Sequence, residues 1–184
     1  MPLSYKFQKS DPMNTTFTNT PALLEAIKAA GADLRDQLSG LGADRINTVP
    51  FEGSWTAAQL ADHVSKATAG LAATMAMEGE PTDRQPDERV DALKTTFLDF
   101  SLKMQSPDFI KPGPGPYQKE EILAALDNAF GTVGAVDANA DMSVVLNGLP
   151  MGPITKLELL HFVLYHTLRH NHQLENIRLA LQPE

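Results

Sequence analysis

The sequence predicts an all-α protein, a four-helix bundle with an additional helix or irregular insert, and three observations carry that reading. Apolar residues recur three and four positions apart in five segments, no segment keeps the alternation of a half-buried strand, and no internal repeat is present. At 184 residues the chain is long enough to bury a sizeable core, and residues 1–184 fit one domain better than two.

Residues 1–19 are polar and without sustained period, so they read as an N-terminal arm ordered only by packing on the body. Thr20 followed by Pro21 has the cap and first-turn chemistry of a helix start. Leu23, Leu24, Ile27, Leu34 and Leu38 then follow at helical spacing, which predicts a helix over 20–39 before Gly40. A second helix over 56–78 is predicted by the capping-box pair Thr56 and Gln59 and by the alanine-rich run through Leu60, His63, Ala67, Leu71 and Met75, with Gly79 and Pro81 as its stop.

Val90, Leu93, Phe97, Phe100 and Met104 predict an additional amphipathic helix closed by Pro107. KPGPGP is a stiff connector that no helix tolerates, and Ile122, Leu123, Leu126, Phe130 and Val133 mark the next helix over 118–134. The stretch 136–154 is irregular, with room for a short extended piece. The last helix, 155–181, opens on a second capping-box pair, Thr155 and Glu158.

Composition removes several function classes. With no cysteine, disulfides, thiolate nucleophiles and cysteine-rich zinc sites are excluded, and any metal must be held by His, Asp or Glu. A formal net charge of −8 and the lack of a Lys/Arg cluster argue against a nucleic-acid partner. The N-terminus lacks the apolar core of a secretory signal and no apolar run approaches membrane-spanning length, so the expectations are no membrane partner and a cytoplasmic location.

The histidines are the chemically informative residues. Four of the five lie in the window HFVLYHTLRHNHQ, and a helical wheel divides them. His166, His170 and Gln173 share a face with Leu159, Val163 and Ile177, whereas His161 and His172 point elsewhere, near Tyr165 and Leu168. Two histidines four apart on a helix can offer nitrogens to one ion at about 2.0–2.1 Å, but such pairs also arise as core-edge histidines. The largely apolar face weighs against the plain reading, since buried imidazoles require partners. HTLRH lacks the glutamate of the HExxH metalloproteases, so that class is unsupported and a third ligand has to come from elsewhere. His63 alone lies outside the terminal window, on a face of small residues that lets a partner helix approach. Read by itself, it is a lone helix histidine hydrogen-bonded to backbone or water.

Two pieces, FEGSWTAAQLADHV and GPITKLELLHFVLYHTLRHNHQLENI, together resemble the DinB/YfiT-like superfamily of small bacterial four-helix proteins. The matching motifs are Trp55-Thr56 through His63, Gly152 through Glu158, and His166, His170 and Gln173. The resemblance implies a DinB-like four-helix bundle in which His63, His166 and His170 bind one divalent metal, zinc or nickel, with further positions open to water or substrate. It also implies metal-dependent hydrolases, isomerases and transferases, some using a low-molecular-weight thiol. Around such ligands Gln173 and Arg169 are second-shell candidates, either orienting the histidines or binding an anionic substrate, with a solvated arginine as the plain alternative. Trp55, at the first turn of its helix, reads as a packing residue.

Three neutral imidazoles leave a metal its full charge, so a bound water can be acidified and a carbonyl or thiol polarised. The leading expectation is therefore a metal-dependent hydrolase or thiol-dependent transferase acting on a small molecule. Its weak point is the missing carboxylate base: Asp62 adjoins His63 in sequence but points about 100° away. A non-catalytic metal-binding or small-ligand-binding stress-response module is the first alternative. A dimerising structural bundle is the second, because Leu157, Leu160, Leu164 and Leu168 give the last helix another apolar stripe; a helix buried on both sides would carry the same stripe.

Overall fold

The computed structural model describes residue 17 and residues 19–182. Its helices are α1 (Thr20–Ser39), α2 (Ala57–Met75), α3 (Val90–Leu98), α4 (Lys119–Gly134) and α5 (Lys156–Ala180), with a 3-10 turn at Asp108–Ile110. Two short strands, β1 (Val145–Leu146) and β2 (Ile154–Thr155), pair antiparallel just before α5 and supply the extended piece expected in 136–154. The reading of 1–19 as a polar arm falls almost wholly outside the described residues.

Both capping boxes form. Thr56 accepts from the Gln59 backbone N–H while the Gln59 side chain accepts from the Thr56 N–H, and Thr155 and Glu158 do the same at the start of α5. Each box satisfies two helix-end donors that would otherwise be orphaned inside the protein.

Four helices form the bundle in an order different from the chain's. α1 packs on α4 and α5, and α2 packs on the same two partners, while α1 and α2 barely meet. Consecutive helices α1 and α2 thus sit on a diagonal, which explains the long connector between them. Where α1 crosses α4, Gly31 is required: a Cβ there would lie 2.6 Å from the Phe130 ring. The additional helix α3 leans on the outside of α5.

α5 is consequently enclosed by α1, α2 and α3, and is buried on both sides. Leu160 and Leu164 are fully buried, and Leu157 and Leu168 pack against the same core. The second leucine stripe is filled within the chain, so it no longer argues for a dimer.

The cap of α1 is Asn19, whose side chain accepts from the Ala22 N–H, rather than Thr20, and two helix C-terminal ends also differ from the sequence expectation. α2 stops at Met75 rather than near residue 78, because the chain turns to pair Glu80 with Val145; the pairing needs Gly79, whose Cβ would fall 2.5 Å from Val144 Cγ2. α3 stops at Leu98 rather than running to Met104. Asp99 is extended and its carboxylate accepts from the Ser101 N–H and O–H, a local turn that competes with continued helix.

Residues 99–116 then cross the gap between α5 and α2 as a strap, tied at both ends. Arg169 donates to the carbonyls of Phe97 and Asp99, at 3.2 and 2.9 Å, and to that of Leu102. At the far end Asp62 accepts from the Gly113 N–H and the Tyr117 hydroxyl, and Gln59 donates to the Gly113 carbonyl.

Candidate metal centre

α2 and α5 share the face that carries the three histidines. His63 lies nearly two turns into α2, His166 and His170 lie one turn apart on α5, and all three are buried. His166 Nε2 is 3.2 Å from His63 Nε2 and 3.2 Å from His170 Nε2. Ligand-competent nitrogens of the three lie within 4.8 Å of one another.

The opposite ring nitrogens fix the protons. His63 Nδ1 is 3.0 Å from the Ile110 carbonyl, which can only accept, so the proton sits on Nδ1 and Nε2 presents a bare lone pair. Ser106 Oγ lies 3.3 Å from the same Nδ1. His170 Nδ1 donates to the Gln173 amide oxygen at 3.0 Å, which leaves its Nε2 bare as well. A single proton on His166 Nε2 can serve one of these neighbours, not both. Three buried acceptors therefore meet with at most one proton among them, an arrangement that costs free energy unless a cation fills it.

The donor set fits such a cation. Tetrahedral coordination at about 2.0–2.1 Å spaces imidazole nitrogens roughly 3.3 Å apart, close to the two separations of 3.2 Å. Burial, and next the charges of His63 and Arg169, push His166 down to about 3. Burial also lowers His170, with His166 next in effect, and lowers His63. All three rings are neutral at neutral pH, the form that ligates.

Every residue expected at the site can now be placed. His63, His166 and His170 come together, and the Gln173 amide oxygen lies within hydrogen-bond distance of His170 Nδ1. Arg169 does not touch the imidazoles: half-buried in the cleft wall, its guanidinium clamps the strap whose Ile110 carbonyl holds His63. Burial lowers its pKa, against the pull of Asp99. Asp62 is turned away and committed to Lys66, Gly113 and Tyr117. His161 donates from Nδ1 to its own helix at the Leu157 carbonyl, and His172 stacks on Phe100 with centroids 4.1 Å apart.

Trp55 requires correction. Its ring centroid lies 5.0 Å from that of His63, and it walls the cleft above the histidines, so it is a site residue as well as a packing one. Phe162, stacked on His166 at 5.5 Å, was also missed, although its position one turn before His166 on the same face was a usable signal. Ile110 gave none, because its part is played by a backbone carbonyl in an aperiodic loop.

A cleft of about 1620 Å³ opens onto the three imidazoles. Glu52 is the only carboxylate residue lining it among the described residues.

The comparisons agree with this architecture. The family described as the DinB superfamily matches residues 26–174. A similar solved structure is that of YfiT from Bacillus subtilis, described as "a probable metal-dependent hydrolase with an unusual four-helix bundle topology". The likeness covers 94% of this chain and 91% of that one, with a TM-score of 0.57 at 13% identity, and shows a common fold. No curated protein matches the sequence.

Proposed function

Because this chain belongs to the DinB superfamily, we propose that His63, His166 and His170 hold one divalent metal ion, zinc or nickel, and that the cleft above them is the active site of a metal-dependent enzyme acting on a small molecule. The observation that carries this reading is the convergence of three buried Nε2 atoms, two of them stripped of protons by Ile110 and Gln173. YfiT's description as a metal-dependent hydrolase points the same way.

A divalent ion on three neutral ligands would polarise a carbonyl or acidify a thiol or water. The chain's own part is to position and to dry the site. Ile110 and Gln173 hold two rings in the ligating tautomer, while Trp55 and Phe162 keep water from their flanks. With Asp62 committed elsewhere, a bound ion would have to lower the pKa of water or a thiol far enough for solvent to take the proton, which suits hydrolysis or thiol-dependent transfer. The chain has no cysteine, so such a thiol would be a co-substrate.

The test is turnover of an ester and of a thiol-plus-electrophile panel by zinc- and nickel-loaded protein, with chelated protein and the His166→Ala variant as references. Turnover lost in both references is the expected result. A metal-replete protein inert across the panel would favour the binding-module alternative.

A further inference from the structure

The lining of the cleft differs from the rest of the molecule in two respects. The first is aromatic. The only tryptophan and five of the eight phenylalanines line it. Some have neighbours already: Trp55 meets His63, Phe162 meets His166, and Phe97 meets Phe162 edge-on at 4.8 Å. Phe51 and Phe109 do not; at the mouth they are 53% and 70% exposed. Of the seven exposed large hydrophobics among the described residues, Phe51, Leu102, Met104 and Phe109 all edge this one cleft. Apolar area gathered in that way marks a binding surface, whereas scattered exposed residues need no explanation.

The second is electrostatic. The chain carries 23 acidic against 15 basic residues, yet the cleft is lined by Lys66, Lys103, Lys111 and Arg169 against Glu52 alone. Lys66 is paired with Asp62 and Lys111 with Asp108. Lys103 has no ion pair among the described residues, and Arg169 is held by carbonyls rather than by an ion pair, with Asp99 offsetting only part of its charge. A cleft wall with more cationic than anionic side chains, in a protein that is acidic overall, favours anions from solution.

Resting on the reading of this cleft as the substrate site of the metal centre, we infer that the substrate is an amphiphilic organic anion. Its aromatic or alkyl body covers the exposed rings of Phe51 and Phe109, and its charged group is drawn to the Lys103 and Arg169 side. The cleft's volume of about 1620 Å³ exceeds the roughly 300–1,000 Å³ of most small-ligand pockets, which favours an extended body over a compact metabolite.

The test is calorimetric titration of the full chain, zinc-loaded, with naphthalene-2-sulfonate, a poor metal ligand. Its neutral isostere methyl 2-naphthyl sulfone and the bodiless anion methanesulfonate serve as comparators. The sulfonate is expected to bind about tenfold more tightly than either comparator at low salt. Phe109→Ser, an exposed change, is expected to weaken both naphthyl ligands about fivefold, and Lys103→Glu to weaken the sulfonate alone by a similar factor. Equal affinities for sulfonate and sulfone, or indifference to both substitutions, would overturn the inference. Binding to phosphatidylglycerol vesicles without binding of the soluble sulfonate would assign the surface to a membrane and overturn it too. Zinc content read on the same samples separates the two claims. Protein that holds zinc but does not discriminate overturns this inference alone. Protein that holds no zinc yet discriminates supports the ligand class and overturns the metal reading.

Discussion

Helix α5 carries two buried polar clusters, and they are built on opposite accounts of donors and acceptors. At its N-terminus the Glu158 carboxylate accepts from the two terminal guanidinium nitrogens of Arg84 at 2.5 and 2.7 Å, from the Arg89 N–H and from the Thr155 N–H. Every oxygen has its donors. Two turns further on, three imidazole nitrogens face one another with at most one proton among them. Polarity that is buried and fully matched fastens a fold, here the 80–89 segment to α5. Polarity that is buried and left short of a cation points to a ligand. Burial by itself does not distinguish the two, as His161 shows: it is fully buried and its pKa is lowered by burial, yet it lies outside the metal cluster.

The matched cluster offers the largest expected effect. Removing Glu158 as Glu158→Ala leaves the half-buried Arg84 without its anion and is expected to cost about 3–5 kcal/mol in urea unfolding. The pH dependence has a definite sign. Burial alone would raise the Glu158 pKa, but the Arg84 and backbone hydrogen bonds outweigh it and the folded value is lowered. The pair's contribution is therefore complete above the unfolded glutamate pKa and disappears as pH falls through the lower folded value. Acid titration of stability should be steeper in the wild type than in Glu158→Gln; parallel curves would refute the matched-cluster account.

The open cluster is tested next through its orienting bond. Gln173→Leu frees the His170 ring from its tautomer and is expected to weaken metal binding about 10–100-fold while the helix stays intact by circular dichroism. Unchanged affinity would show that Gln173 is only a neighbour. The smallest effect belongs to the histidine outside both clusters. His161→Phe should leave metal content unaltered and shift stability by no more than about 1.5 kcal/mol; loss of metal in that variant would erase the distinction drawn between buried histidines.

Much of this was legible in the sequence because it depends on local periodicity. Thr56 with Gln59 and Thr155 with Glu158 announced two helix starts, and the spacing of His166, His170 and Gln173 put them on one face before any packing was known. What stayed hidden depends on contacts distant in sequence. Phe100 and Met104 keep a helical rhythm beyond the point where α3 ends, and the Asp99 turn and the Arg169 clamp interrupt it. The diagonal placement of α1 and α2, the strap over His63 and the turning of Trp55 toward the cleft likewise have no periodic signature.

The most direct test is metal content of the untagged full chain by plasma mass spectrometry after exposure to zinc or nickel, beside His63→Ala, His166→Ala and His170→Ala. About one divalent ion per chain in the wild type, lost in each folded variant, is the predicted result. A wild type that retains neither metal, or variants that retain as much as the wild type, would contradict it.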